Sequence, residues 1–126
     1  MKACIISYHD SHDYNTRIKY LEAFLYSKGY ETQTLISDFD HINKCEYHVE
    51  RENAKLIHVK PYKRNLSLAR INSYVMFAQS CVDCLLKQER IDLVYLLAPP
   101  NLLIRELSLL KRKLEFKFMV EIGDMW

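Results

Sequence analysis

The stretch Leu93-Val94-Tyr95-Leu96-Leu97-Ala98-Pro99-Pro100-Asn101 carries the reading of the fold. Leu93 to Leu97 is a short, continuous apolar run, the pattern of a strand buried on both faces. Pro99-Pro100 breaks it, and Asn101 is placed to cap a helix carrying Leu103, Leu107 and Leu110. That helix closes in the basic run Lys111-Arg112-Lys113, where positive charge suits the carbonyl end of the helix dipole. Phe116 to Ile122 then reads as a further strand. A strand, a helix and a second strand in this order form one parallel crossover unit.

The same rhythm extends towards the N-terminus. Ser67 caps a long helix reaching about Lys87, with an apolar stripe of Leu68, Ile71, Val75, Ala78, Val82 and Leu85. Leu56 to Val59 is a short strand stopped by Pro61. Ala3 to Ser7 is another apolar run, followed by the polar stretch Tyr8 to Asn15. Thr16 can cap the next helix, whose apolar face is Ile18, Leu21, Phe24 and Leu25. Gly29 suits the left-handed position that ends it, and Glu31 to Ser37 forms the second strand. Asp38 to Asn53 is polar and has no firm period. The expected fold is therefore α/β: a Rossmann-like, open, mostly parallel sheet of at least five strands with helices on both faces, residues 1–126 forming a single domain.

Composition narrows the class. At 49% apolar and 27% charged, the chain can bury a core without cross-links, so Cys4, Cys45, Cys81 and Cys84 are expected to be reduced thiols. The apolar run after Met1-Lys2 is too short for a signal peptide, and no stretch approaches the ~18 apolar residues of a membrane span. These features point to a cytoplasmic protein. A net charge of +2 does not imply nucleic-acid binding, and no GxGxxG or GxxxxGK[ST] fingerprint is present, so no cofactor is signalled.

Three polar constellations stand out. The first is the loop after the first strand, with His9, Asp10, His12, Asp13, Tyr14 and Asn15; open α/β sheets bind ligands in this position. It reads either as a ligand-facing loop or as an ordinary polar surface loop with Asp13 helping to cap the helix. Its histidines and carboxylates suit a metal, but no distant partner is evident among His41, His48 and His58. Cys81-x-x-Cys84 lies within the long helix, where Cys81 belongs with the core. The second constellation is Lys60, Lys63, Arg64 and Arg70, either a solvated basic face or a recruiter of phosphate or anionic lipid, with Tyr62 as the nearby aromatic. The third is the chain end, where Glu121 and Asp124 flank Gly123 and Trp126 can cover a site. Asp124 reads there as a general base or sugar-hydroxyl ligand, or else as a local turn residue, and Gly123 as a position where a side chain would obstruct.

Asp92 to Pro100, Phe118 to Trp126 and the approach Asn65-Leu66-Ser67-Leu68-Ala69-Arg70 together resemble the N-terminal domain of family 4 glycosyltransferases of the two-domain GT-B fold, in the subgroup that makes capsular or lipopolysaccharide sugars. The resemblance implies an acceptor-side domain of a retaining, metal-free, nucleotide-sugar-dependent transferase. Asp124 would assist the acceptor hydroxyl, with His9, Asp10, His12, Asn15, Arg17, Arg70, Glu121 and Trp126 around the acceptor. The acceptor would be a sugar or lipid-linked sugar, placing the chain in the cytoplasm or at the inner face of the membrane. The nucleotide sugar would be held by a donor-binding domain or subunit rather than by this chain. The first loop departs from the subgroup in lacking glycine anywhere between Met1 and Lys28. The chain reaches the crevice and ends, so it reads as cut before the remaining strands and the second domain, and not as an autonomous transferase. The alternative from the same fold is a non-catalytic binding or assembly module, with an exposed sheet edge favouring a homo-oligomer.

Overall fold

A computed structural model describes residues 1–10, 13–48 and 51–123. In chain order the elements are β1 (Lys2–Ser7), α1 (Asp13–Ser27), β2 (Glu31–Ser37), β3 (Phe39–Asp40), β4 (Cys45–Glu46), β5 (Ala54–Ile57), α2 (Leu68–Leu86), β6 (Leu93–Ala98), α3 (Asn101–Leu114) and β7 (Lys117–Ile122). Five of the strands form one all-parallel sheet in the order β5-β2-β1-β6-β7, the Rossmann-like α/β arrangement expected. β1 sits at its centre, Ala3 opposite both Thr32 and Leu93, and Ser7 opposite both Ile36 and Leu97.

Alternation along the central strands distributes their side chains between two layers. Ala3 and Ile5 of β1, with Leu93 and Leu97 of β6, pack against Ile18 and Leu25 of α1. Cys4 and Ile6, with Val94 and Leu96, pack on the other face against Phe77 and Cys81 of α2 and Leu103, Leu107 and Leu110 of α3. All four cysteines are free thiols, and Cys81 lies in the core. Burial pushes the Cys4 thiol up to about 12 and the Cys81 thiol well above its ordinary value, so both remain protonated packing groups.

Several local expectations are corrected. α1 starts at Asp13, leaving Thr16 inside its first turn rather than at the cap, and Phe24 faces solvent while Leu21 and Leu25 turn inward. β5 begins at Ala54, two residues before Leu56, because pairing with Thr34 of β2 recruits it. Ser67 does cap α2, its hydroxyl accepting the Arg70 amide, but Leu68 and Ile71 are 83% and 59% exposed. The buried face of α2 runs through Ser73, Phe77, Ala78, Cys81 and Leu85, with Ala69 of the first turn also against the core, so Leu68 and Ile71 lie to the outside of that face. At α3 the cap position belongs to Pro100, which supplies no side-chain bond, and Asn101 is the first helical residue. The stretch from Asp38 to Asn53, without a readable period, holds the two-stranded β3–β4 ribbon.

Gly29 ends α1 as expected. With φ at +80°, it donates to the Tyr26 carbonyl while Tyr30 donates to Leu25, the paired bonds of a left-handed cap. Open space surrounds the position a Cβ would take, so only the backbone demands glycine here. Gly29→Ala is expected to destabilise the fold by about 1–2 kcal/mol, the cost of the left-handed region for an L-residue. Gly29→Asn should recover part of the loss, with both read from urea midpoints.

Candidate functional site

The carboxyl ends of β1 and β2 carry the chain into a crevice roofed by β3–β4 and by the start of α2. Ser7, His9, Asp10, Ser37 and Ser73 are buried polar residues here, so each requires a partner. The Ser7 hydroxyl donates to the His9 carbonyl, and Ser37 to the Tyr8 carbonyl, tying the β1 exit to its own strand end and to β2. The Tyr8 hydroxyl bonds with Ser73 at 2.6 Å, locking the same exit to α2. Tyr8 is also packed edge-on against His9, Tyr74 and Phe77.

His9 is 7% exposed, its ring centroid 4.8 Å from that of His41. Burial, then the charges of His41, Arg70 and Lys44, press its pKa down to about 3, so it is neutral at physiological pH. The Tyr62 hydroxyl lies 2.5 Å from His41 Nδ1, and Lys44 Nζ sits over the Tyr62 ring at 4.9 Å. Lys44 also donates to Asn65 Oδ1 at 2.5 Å, while Arg70 NH1 donates to the Asn65 carbonyl at 3.0 Å. The rest of the Arg70 fork holds the Tyr74 hydroxyl through Nε and NH2, at 2.9 and 2.7 Å. Two cations, two imidazoles and three phenols thus meet around one short loop.

Asp10 lies beside this group in a separate cluster. Arg51 NH2 reaches both its oxygens at 2.9 and 3.0 Å, the Tyr47 hydroxyl donates at 2.9 Å, and Asn15 Nδ2 at 3.3 Å. Burial raises the Asp10 pKa, opposed by Arg51 and the hydrogen bonds. Arg51 NH1 also stands 3.6 Å from Glu22, making a carboxylate–guanidinium–carboxylate chain from the loop to α1. Asp10 is thereby committed to internal partners, and binding a ligand would mean opening the Arg51 pair.

The remaining sequence candidates separate. Arg17 pairs with Glu121 at 2.7 Å, and the Tyr95 hydroxyl donates to the same carboxylate at 3.0 Å, joining α1 to the end of β7. Among the described residues, a Cβ at Gly123 would meet nothing nearer than Arg17 NH1 at 3.9 Å. His12, Asp124 and Trp126 lie outside the described residues. The structure supplies His9 with the distant histidine that the sequence did not reveal, yet among the described residues no group of His, Cys, Asp or Glu is arranged to hold a metal ion. His58 instead pairs with Asp38. Arg70 has a second aromatic neighbour besides the one foreseen, Tyr74, with 5.1 Å from its guanidinium carbon to the ring centroid. Lys44, Tyr47 and Arg51 escaped sequence reasoning, while Tyr62 and Asn65 entered it only as neighbours of the basic group; the available signal was that a polar loop at the end of a buried strand must find partners.

A depression of about 790 Å³ lies at the opposite, amino ends of the strands, lined by Lys2, Gln33, Asn53, Lys55 and Gln88 among others. Its charged lining mixes both signs, Lys2, Lys55 and Lys87 with Glu31, Glu52 and Glu89, and includes no aromatic ring, so the pairing of cations with aromatic groups belongs to the carboxyl end. Comparison with protein-family models, with curated proteins and with solved structures gave no match to this chain.

Arg51→Met would leave the Asp10 carboxylate buried without its cation, and should cost roughly 3–5 kcal/mol near neutral pH, less in acid where Asp10 protonates. Urea unfolding at the two pH values reads the difference. His9 gives the same sign as ordinary carboxylate pairing, in a window that reaches closer to neutral pH. Its folded pKa near 3 lies below its ordinary 6.5, so unfolding takes up a proton between those values and stability falls as pH drops through them. The slope should reach at most ~1.4 kcal/mol per pH unit. His9→Phe should flatten it; parallel curves for the two proteins would show that another group is responsible.

Proposed function

We propose that this chain is the acceptor-side domain of a nucleotide-sugar-dependent glycosyltransferase acting in cell-surface polysaccharide synthesis. The observation that carries the reading is the convergence of His9, His41, Lys44, Tyr62 and Arg70 at the carboxyl ends of β1 and β2. Aromatic faces, neutral imidazoles and paired cations suit a sugar that bears hydroxyls and negative charge. The Rossmann-like sheet agrees with such a domain without specifying its activity. Asn15 and Arg17 both stand on α1, Asn15 bound to Asp10 and Arg17 to Glu121 at the end of β7. From the sequence resemblance, Asp124 would position the acceptor hydroxyl, with His12 and Trp126 nearby.

The nucleotide sugar would be held by a separate donor-binding domain or subunit, and transfer would require both walls of the cleft. No helix among the described residues is long and apolar enough to cross a membrane. By the sequence resemblance, a lipid-linked acceptor would be met from the cytoplasmic side, at the membrane surface. Exposed Leu66, Leu68 and Ile71 beside Lys60, Lys63 and Arg64 offer an apolar and basic face for that contact. A second reading, a binding or assembly module forming homo-oligomers, draws on β7: it occupies one edge of the five-stranded sheet and exposes Met119 and Ile122.

Thermal unfolding in the presence of soluble sugar phosphates and of nucleotide sugars separates the two sides of the reaction. Stabilisation by the acceptor class is expected, about 2.7 kcal/mol at a hundredfold excess over Kd. Stabilisation by nucleotide sugars alone would overturn the assignment. Self-association blocked by Met119→Lys, with no response to any sugar, would favour the assembly module.

A further inference from the structure

Lys44 and Arg70 form the most unusual pairing in the crevice. They come from different parts of the chain, the β3–β4 ribbon and the start of α2, and are brought together by one residue: Asn65 accepts Lys44 through its side chain and Arg70 through its carbonyl. Every hydrogen-bond partner of the two cations is neutral: the Asn65 amide oxygens, the His41 carbonyl and Nδ1, and the Tyr74 hydroxyl. Among the described residues, no carboxylate oxygen lies within 4.0 Å of either charge. Elsewhere the chain pairs its partly buried arginine with acids, as Arg51 does with Asp10 and Glu22.

Asp40 is the carboxylate whose field reaches Lys44, His41 and His9. Its oxygens accept the Ile42 and Asn43 amides at 2.8 and 3.0 Å and the Asn43 side chain at 2.8 Å, so it organises the ribbon turn. Arg70 uses three N–H groups on Asn65 and Tyr74, leaving one N–H on each terminal nitrogen without a described partner. Burial and the field of Arg70 both lower the Lys44 pKa, the response of an ammonium held beside a like charge. A multivalent anion between the two would relieve that repulsion.

We infer that Lys44 and Arg70, joined through Asn65 and flanked by His41 and Tyr62, form a binding site for a phosphate ester or diphosphate group. A tetrahedral oxyanion matches the open N–H groups of the Arg70 guanidinium on one side, and on the other would take the Lys44 N–H that now makes its longest contact, 3.4 Å to His41 Nδ1. The His41 ring, which burial and Lys44 keep neutral, can donate from Nε2 while Nδ1 takes the Tyr62 hydroxyl. The site names the charged part of the ligand that the preceding proposal calls an acceptor, and only that identification rests on the proposal. The phosphate can belong to a soluble ester or to a lipid headgroup, since Leu66, Leu68 and Ile71 stand exposed at the mouth of the site.

Titration calorimetry with inorganic pyrophosphate tests the site directly, and vesicles of phosphatidylcholine with and without phosphatidate test the lipid source. The intact chain should bind pyrophosphate. Lys44→Met and Arg70→Gln should each weaken binding by roughly tenfold or more, the loss of one charge-assisted contact. Arg70 also ties Asn65 and Tyr74, so if Arg70→Gln does not fold by circular dichroism, Lys44→Met carries the test alone. Binding of phosphatidate vesicles that Lys44→Met abolishes supports a headgroup source even without a pyrophosphate signal. Absence of binding in both arms would overturn the site. So would losses no larger for Lys44→Met than for the exposed pair Lys63→Gln and Arg64→Gln, which would mark a diffuse basic face. Pyrophosphate binding without stabilisation by any sugar phosphate keeps the site and defeats the acceptor reading; the converse defeats the site alone.

Discussion

The rest of the molecule depends on the enclosure of β1. It is paired on both edges, by β2 and β6, and covered on both faces, by α1 and by α2 with α3. Ala3 to Asp10 are all buried, so the strand cannot end in water. The polar residues at its exit, Ser7, His9 and Asp10, arrive desolvated and are tolerable only with partners held in place. Those partners come from α1 through Asn15 and from the segment between β2 and β5 through His41, Tyr47 and Arg51, while Ser73 and Tyr74 of α2 hold the intervening Tyr8.

That constraint divides the crevice into two electrostatic regimes. Around Asp10 the charges close on themselves, Arg51 lying between Asp10 and Glu22, and the result is a clasp that joins the loop to α1. Around His9 the described partners of the cations Lys44 and Arg70 are neutral dipoles, with Asp40 the carboxylate whose field reaches Lys44, beside two neutral imidazoles. A carboxylate held for structure, Asp10, thus follows directly in the chain on the imidazole, His9, that sits in the field of the cation pair. The ion pair of Arg17 with Glu121 forms a third, more exposed link where α1 meets the end of β7.

The architecture was legible because it rests on local patterns. Apolar runs such as Ala3 to Ser7 and Leu93 to Leu97 can be satisfied only inside a sheet covered twice, and Leu103, Leu107 and Leu110 recur at a helical period whatever they pack against. The errors occurred where a local pattern met a boundary. Leu68 and Ile71 extend the α2 stripe in sequence, yet the face that meets the core runs through Ala69, Ser73, Phe77 and Cys81 and leaves them outside. The ribbon between β2 and β5 was illegible because its order comes from Asp40 turning the chain and from contacts with distant residues such as Tyr62 and Asn65, which carry no periodicity.

The sequence by itself determined the α/β class, the caps at Ser67 and Gly29, the core helices and the polar character of the loop after β1. These follow from nearest-neighbour chemistry, where side-chain period and backbone preference act within a few residues. Only the tertiary structure decided that Asp10 faces Arg51 inward while His9 joins His41, and that Lys44 and Arg70 share Asn65. Those pairings span tens of residues, and they exist because parallel strands deliver their carboxyl ends, and the loops that follow them, to one edge of the sheet.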